Sequence, residues 1–220
     1  MKFQLITDHP VAVDSLDHIY PSATAKDNSK NPEFDRRLFE LFPGRKISVL
    51  DLGCAGGGMV KTIIDAGHTA VGLEGSDYSK KIRRAEWATI PDNLFTCDIT
   101  QPFTLTTDGA HPYLFDVVTA WEFFEHIEMV DLDVVMDNIN KHLQIRGLLI
   151  ASISGDRSIG KFGVDKHRTV MEEEWWFSFF TDKYKYKDRR ELYPHFHGHY
   201  VHKTMYIFIL EKKIWQKYLS

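Results

Sequence analysis

Val49-Leu50-Asp51-Leu52-Gly53-Cys54-Ala55-Gly56-Gly57-Gly58 is the stretch whose reading decides the fold. Ile47 to Asp51 is a short apolar run of the kind a strand buries on both faces, and the glycines after it make a turn. Gly57 to Ala66 then carries helical spacing until Gly67 stops it. Strand, glycine-rich turn and helix are the first half of a βαβ unit. The alternation continues outward from there. His68 to Leu73 reads as a second strand, Tyr78 to Trp87 as a helix, Leu94 to Cys97 as a third strand and Phe115 to Ala120 as a fourth. Asp131 to Leu143 reads as a helix, Gly147 to Ile153 as a fifth strand and Met171 to Phe180 as a further helix. Tyr184 to Leu192 and His202 to Leu210 read as a terminal antiparallel pair joined by a histidine-rich turn around Pro194 and Gly198. The expectation is an α/β, Rossmann-like fold with a mostly parallel seven-stranded sheet and an antiparallel end.

Residues 1–45 are different in kind. Pro10, Pro21, Asn28, Asn31, Pro32, Pro43 and Gly44 punctuate them, leaving room for one short helix over Glu33 to Phe42. A single domain is expected, with 1–45 an irregular arm and 46–220 the α/β body. Such an arm either folds over a site as a lid or simply packs on the sheet.

The chain has 220 residues, 43% of them hydrophobic and 26% charged, which suits one globular unit with a sizeable core. No apolar run approaches the ~20 residues needed to span a bilayer, and Met1 to Asp8 is too short and too weakly apolar for a secretory signal. Cys54 and Cys97 are the only cysteines, no disulfide framework, and a reducing cytoplasm is the expected location. The formal charge of −4 counts against a sequence-independent grip on nucleic acid. Lys183 to Arg190 is basic, but Asp182, Asp188 and alternating tyrosines make it read as a solvated strand face.

The glycine turn suits a nucleoside cofactor. Glu74, at the end of the second strand and about 20 positions beyond the turn, is placed to accept both ribose hydroxyl protons. Glycines alone leave two cofactors open, because Gly53, Ala55 and Gly58 also read as the Gly-x-Ala-x-x-Gly of a dinucleotide loop. Asp51 discriminates between them. A carboxylate there repels a pyrophosphate and attracts the ammonium of a methionyl group. S-adenosylmethionine (SAM) carries that ammonium.

Val49 to Gly57 resembles the first motif of class I SAM-dependent methyltransferases, with Ala55 where that family usually has a second glycine. The resemblance continues through Val71-Gly72-Leu73-Glu74-Gly75-Ser76, the ribose-binding strand end, and Cys97-Asp98-Ile99, where the family sets an acid against the adenine amino group. It covers roughly Lys46 to Ile153. It implies a SAM site built from Asp51, Gly53, Cys54, Ala55, Gly57, Glu74, Gly75, Ser76, Asp98, Ile99 and Trp121. Taken alone, Asp98 reads as a turn or helix-cap aspartate.

Trp121-Glu122-Phe123-Phe124-Glu125-His126-Ile127 follows the fourth strand. On a helical turn Glu122, Glu125 and His126 share one face, two hard oxygens and an imidazole suited to a divalent ion. The competing reading is a rim segment with a satisfied histidine. The Glu-x-x-Glu-His set resembles the metal-binding motif of small-RNA 3′-terminal 2′-O-methyltransferases, and a similar motif occurs in ubiquinone-pathway O-methyltransferases. The matching downstream stretch, Asp165 to Trp176, implies His167 as fourth ligand, although its spacing departs from the pattern. That resemblance implies Mg²⁺ or Mn²⁺ held by Glu122, Glu125, His126 and His167, chelating two vicinal oxygens and acidifying one for attack on the SAM methyl. His195, His197 and His199 alternate along the later turn, where they read as metal, base or substrate contacts or as a remote hairpin tip.

The acceptor implied is a vicinal diol. A sugar or glycan hydroxyl comes first, helped by a lead-in from Asp14 to Ser29 similar to those of methyltransferases in polysaccharide biosynthesis. The 3′-terminal ribose of RNA offers the same diol but meets an acidic chain; a catechol-type small molecule comes third. A non-catalytic SAM-binding subunit is the reading of a different class, disfavoured by the intact Glu-x-x-Glu-His set.

Overall fold

The computed structural model describes residues 1–21, 24–160, 163–196 and 205–213. The strands are β1 (Gln4–Ile6), β2 (Ser48–Leu52), β3 (Thr69–Glu74), β4 (Leu94–Thr96), β5 (Thr104–Thr106), β6 (Phe115–Trp121), β7 (Leu143–Ser154), β8 (Lys187–Asp188) and β9 (Met205–Glu211). The α-helices are α1 (Leu16–Ile19), α2 (Pro32–Glu40), α3 (Gly58–Asp65), α4 (Tyr78–Lys81), α5 (Leu132–His142), α6 (Glu173–Ser178) and α7 (Tyr193–Phe196).

Among the described residues seven strands make one sheet in the order β4-β3-β2-β6-β7-β9-β8. The first five run parallel and β9 runs antiparallel to both of its neighbours. This is the Rossmann-like architecture expected, with β9 inserted inside the edge. β2 is buried along its whole length because both sheet faces are covered. Leu50 and Leu52 face the cluster closed by Val135, Met136 and Ile139 of α5 and by Trp176 of α6. Val49 faces the one closed by Phe34 and Leu38 of α2 and by Val60 and Ile63 of α3. Each such side chain, fully buried, contributes roughly 1.5–3 kcal/mol. The strand order turns back at β2, with β3 on one side and β6 on the other, and ligands of open α/β sheets bind at the carboxyl ends flanking such a point. Among the described residues no helix is long and apolar enough to cross a membrane.

Several elements depart from expectation. The arm carries more order than its punctuation suggests: β1 pairs antiparallel with β5 in a small separate sheet, and Ser15 caps α1 through the His18 N–H. Asn31 caps α2, with Pro32 in its first turn. The helix expected over Tyr78 to Trp87 stops at Lys81, because Arg83 and Ala85 take left-handed backbone (φ 52° and 49°); only a 3₁₀ turn follows, at Ala85–Ala88. Tertiary bonds override helix propensity there: Arg84 reaches the arm and the Trp87 indole donates to the Ala55 carbonyl.

The strand expected over Tyr184 to Leu192 shrinks to Lys187–Asp188. Its tyrosines are not a solvated face: Tyr184 and Tyr186 are buried, donating to Asp133 and Asn140 of α5 at 2.7 and 2.9 Å. Pro194 and His195 lie in α7, not in a hairpin; His197, His199 and His202 fall outside the described residues.

Candidate active site

A cavity of about 750 Å³ opens at the carboxyl ends of β2, β3, β4 and β6. Asp51, Gly53, Cys54, Ala55, Glu74, Gly75, Asp98, Ile99 and Trp121 all line it, although they come from four separate segments of the chain. Gly57 and Ser76 do not line it. Gly57 (φ 84°) is the residue before α3, packed behind the turn on Leu94 and Glu86, and Ser76 is fully buried, its N–H donating to Glu74.

The cofactor half is built from main-chain donors and two buried acids. Glu74 accepts the Ala55 N–H at 2.8 Å and the Ser76 N–H at 3.1 Å, which aims its carboxylate and leaves lone pairs for two hydroxyls. Asp51 accepts the Thr119 hydroxyl at 2.7 Å. Burial pushes Asp51 up to about 7, with the negative charges of Asp35, Glu74 and Asp27 adding to it. Burial likewise pushes Glu74 up to about 7 against the hydrogen bonds that favour its charge. Two acids desolvated side by side are an unfinished electrostatic arrangement that a cationic ligand with a ribose diol completes. These residues fit SAM, with Glu74 for the ribose hydroxyls and Asp51 toward the ammonium. Asp98 lines the same cavity while its Oδ1 accepts the Thr100 N–H, so it is both wall and turn aspartate.

The arm covers this half. Ala12 N–H donates to Gly75 O and Asp98 N–H to His9 O, both at 2.9 Å. Arg84 donates to the carbonyls of Thr24 (2.6 Å) and Asp27, and Glu86 receives Asn28 and pairs with Lys30 at 2.8 Å. The arm lies so close to the turn that a Cβ on Gly56 would stand 2.6 Å from the Asp27 carbonyl, and one on Gly58 2.5 Å from that of Ser29. Two glycines of the motif therefore serve to seat the arm.

The Glu122 to His126 segment does not form the shared helical face. Glu122 sits in left-handed backbone (φ 46°) at the end of β6, its N–H held by Ser152, and only Phe124–His126 makes a 3₁₀ turn. Strain of this kind costs of order 1–3 kcal/mol and concentrates at functional sites. Glu122 and His126 line the cavity; Glu125 and His167 do not. Glu125 is fully buried, with Oε1 accepting the Ser154 N–H at 2.8 Å and Oε2 without a partner. Burial, and then the neighbouring Glu122, push it up to about 8. His167 bonds the Asp156 carbonyl through Nδ1 and presents its ring edgewise to His126, centroids 4.9 Å apart. Among the described residues no group of three or more His, Cys, Asp or Glu is arranged to hold a metal ion. The expected Mg²⁺ or Mn²⁺ site of Glu122, Glu125, His126 and His167 is not assembled. A one-residue change of backbone region breaks the helical spacing on which it rested.

What stands beside His126 instead is Asp17 of α1, its Oδ2 3.3 Å from His126 Nδ1. Asp17, Asp131, Lys166 and Arg168 complete the cavity wall and were not singled out in the sequence. For Asp17 the local signal is the capping pattern Ser15-x-x-His18, which places a helical turn in the arm without saying what it faces. His195 is remote from the cavity wall: its ring bonds the Arg37 carbonyl at 2.7 Å while Arg37 donates to the His195 carbonyl at 2.6 Å, fastening α7 to α2.

Residues 27–199 match the model of a family described as "Methyltransferase domain". A ubiquinone biosynthesis O-methyltransferase of Bartonella bacilliformis is 27% identical over 116 residues, 53% of this chain; the match spans 44% of that relative's length. Among solved structures, a SAM-dependent methyltransferase of Clostridium acetobutylicum superposes with a TM-score of 0.58 at 13% identity, over 89% of this chain and 97% of that one. The 1,6-didemethyltoxoflavin-N1-methyltransferase of Burkholderia thailandensis does so with 0.58 at 12%, over 90% and 84%. The glycopeptide N-methyltransferase MtfA, complexed with SAM, gives 0.53 at 12%, over 84% and 95%. With most of its length under the family model, and with the sheet order and cofactor-side carboxylates already described, the chain belongs to the methyltransferase-domain family and has the fold of SAM-dependent methyltransferases.

Proposed function

We propose that the protein transfers the SAM methyl group to a hydroxyl of a neutral polyol, a sugar or glycan bearing vicinal hydroxyls. The observation that carries this reading is that one cavity holds Asp51, Glu74 and Asp98 together with Glu122 and His126. SAM, when bound, supplies an electrophilic methyl on its sulfonium. Everything else falls to the chain. Glu122 and Asp131 accept hydrogen bonds from acceptor hydroxyls and orient them, and Trp121 and Phe123 offer aromatic surface to a sugar ring. Burial lowers the proton affinity of His126, against the opposing pull of the Asp17 carboxylate, so the imidazole is neutral at pH 7 and able to take the acceptor's proton. The arm over the cofactor excludes water. The acceptor oxygen forms its bond to the methyl carbon as the carbon–sulfur bond breaks, the proton passes to His126 and then to solvent, and S-adenosylhomocysteine leaves.

Among the described residues nine carboxylates line the cavity against Lys166, Arg168 and His126. That excess counts against an RNA phosphodiester, and it also favours a second reading in which the acceptor is an amine. Labelled SAM incubated with parallel oligosaccharide, 3′-terminal RNA, catechol and primary-amine acceptors separates them. Label is expected on the oligosaccharide, undiminished by chelator, and reduced at least about 100-fold in His126→Ala. Label on RNA or amine alone overturns the polyol reading.

A further inference from the structure

We propose that Asp17, delivered by the N-terminal arm, is a positioning residue that holds the His126 imidazole with its proton on Nδ1 and its basic lone pair on Nε2. The inference rests on the reading of His126 as the base. Asp17 Oδ2 lies 3.3 Å from His126 Nδ1, and both side chains are about three-quarters buried, at 26% and 24% exposed. His126 Nδ1 and Asp17 Oδ1 are buried without any hydrogen-bond partner, so the two groups are each other's nearest recourse. A proton on Nε2 would aim the Nδ1 lone pair at the Asp17 carboxylate, which is repulsive at this distance and poorly screened. With the proton on Nδ1, Asp17 is satisfied and Nε2 is basic. Once Nε2 gains a proton, the Asp17 carboxylate offsets part of the burial penalty on the imidazolium, as a base that charges during reaction requires.

Position in the chain gives the contact its consequence. Asp17 sits in α1, four residues long, and α1 is held over the cavity by the arm contacts to Gly75, Arg84 and Asp98. His126 belongs to the sheet-borne rim after β6. The base is therefore set only when the arm covers the cofactor, which couples proton removal to exclusion of water.

The test is the tautomer of His126, read from its imidazole ¹⁵N shifts in SAM-loaded protein at a pH where the ring is neutral. The proposal requires an Nδ1–H ring in the wild type and an Nε2–H ring in Asp17→Ala. An Nε2–H ring in the wild type, or the same tautomer in both proteins, overturns it. With whichever acceptor of the panel above is methylated, Asp17→Ala is expected to lower kcat roughly 10- to 100-fold while the acceptor KM and the SAM Kd stay within about twofold, and Asp17→Asn, whose amide oxygen still accepts, to recover part of the loss. Loss of SAM binding in step with kcat would make Asp17 a mere arm contact and overturn the proposal. The two readings fail separately: a tautomer that depends on Asp17 with no acceptor methylated condemns the proposed function, and a methylated acceptor with an Asp17-independent tautomer condemns this inference.

Discussion

Asp51 discriminates between cofactors in the sequence and is the residue whose chemistry is most exposed to test. Asp51 and Glu74 each titrate near 7 because burial disfavours their charge. A cationic ligand prefers the ionised forms, so SAM affinity should rise roughly five- to tenfold as pH goes from about 6 to 7.5 and then level off. Isothermal titration calorimetry checks this; Asp51→Asn should bind more weakly and show a flatter profile, and a wild-type affinity that falls over this range would refute the assignment. Ala55 makes a second prediction. It holds φ 45° where the family motif usually has glycine, a left-handed backbone that costs an L-residue about 1–2 kcal/mol. Part of the gain on substitution is lost to the freedom glycine adds to the unfolded chain. Ala55→Gly should therefore stabilise the protein by about 0.5–1 kcal/mol in urea unfolding; destabilisation would mean that the Ala55 methyl packs better than its backbone suffers.

Among elements, the arm and the interrupted α4 belong together. Left-handed turns at Arg83 and Ala85 stop the helix and turn Arg84 toward the Thr24 and Asp27 carbonyls, which fastens the arm to the cofactor turn. Gly58→Ala would push a methyl against the Ser29 carbonyl, and Arg84→Ala would remove the fastening. Both should speed proteolytic cleavage within residues 8–30 severalfold and weaken SAM binding, with the sheet's circular dichroism unchanged. Unaltered cleavage in both variants would show that the arm is held by other contacts. The arm's helix α2 was legible because its cap, Pro32 and apolar spacing are local. Its strand β1 was not, because three residues are too few for a period and its partner β5 lies about 100 positions away.

For the whole molecule, the buried acids set a pH dependence of stability. Asp51 and Glu74 have folded-state values near 7, above the ~4 of an unfolded carboxylate, so the stabilisation of their neutral forms is complete below about pH 4 and is lost as pH rises through 7. His142, buried and pushed down to about 4, contributes with the opposite sign, but above about pH 6.5 it is neutral in both states. Glu125, pushed up to about 8, acts with the same sign, so between pH 6.5 and 8 the cofactor-free protein should lose about 3 kcal/mol, a fall of several degrees in Tm, and saturating SAM should reverse the share of Asp51 and Glu74. Thermal unfolding at fixed ionic strength measures both, and a Tm that climbs over this range would contradict the burial of those acids.

The sequence by itself determined the parallel sheet, the strand–turn–helix at its centre and the carboxylates of the cofactor half. Each of these rests on short-range pattern: alternation within a strand, glycine where main chain must come close, an acid at a strand end. Only the tertiary structure decided the acceptor side. Spacing put Glu122, Glu125 and His126 on one face, and a single left-handed residue at Glu122 sends Glu125 into the core and leaves His126 to Asp17, 109 positions earlier in the chain. Likewise, Gly56 and Gly58 belong to the glycine-rich turn, yet the atoms a side chain there would meet belong to the arm. Local periodicity reports which way a residue faces within its own element, whereas a partner brought in by a covering segment leaves no period to read.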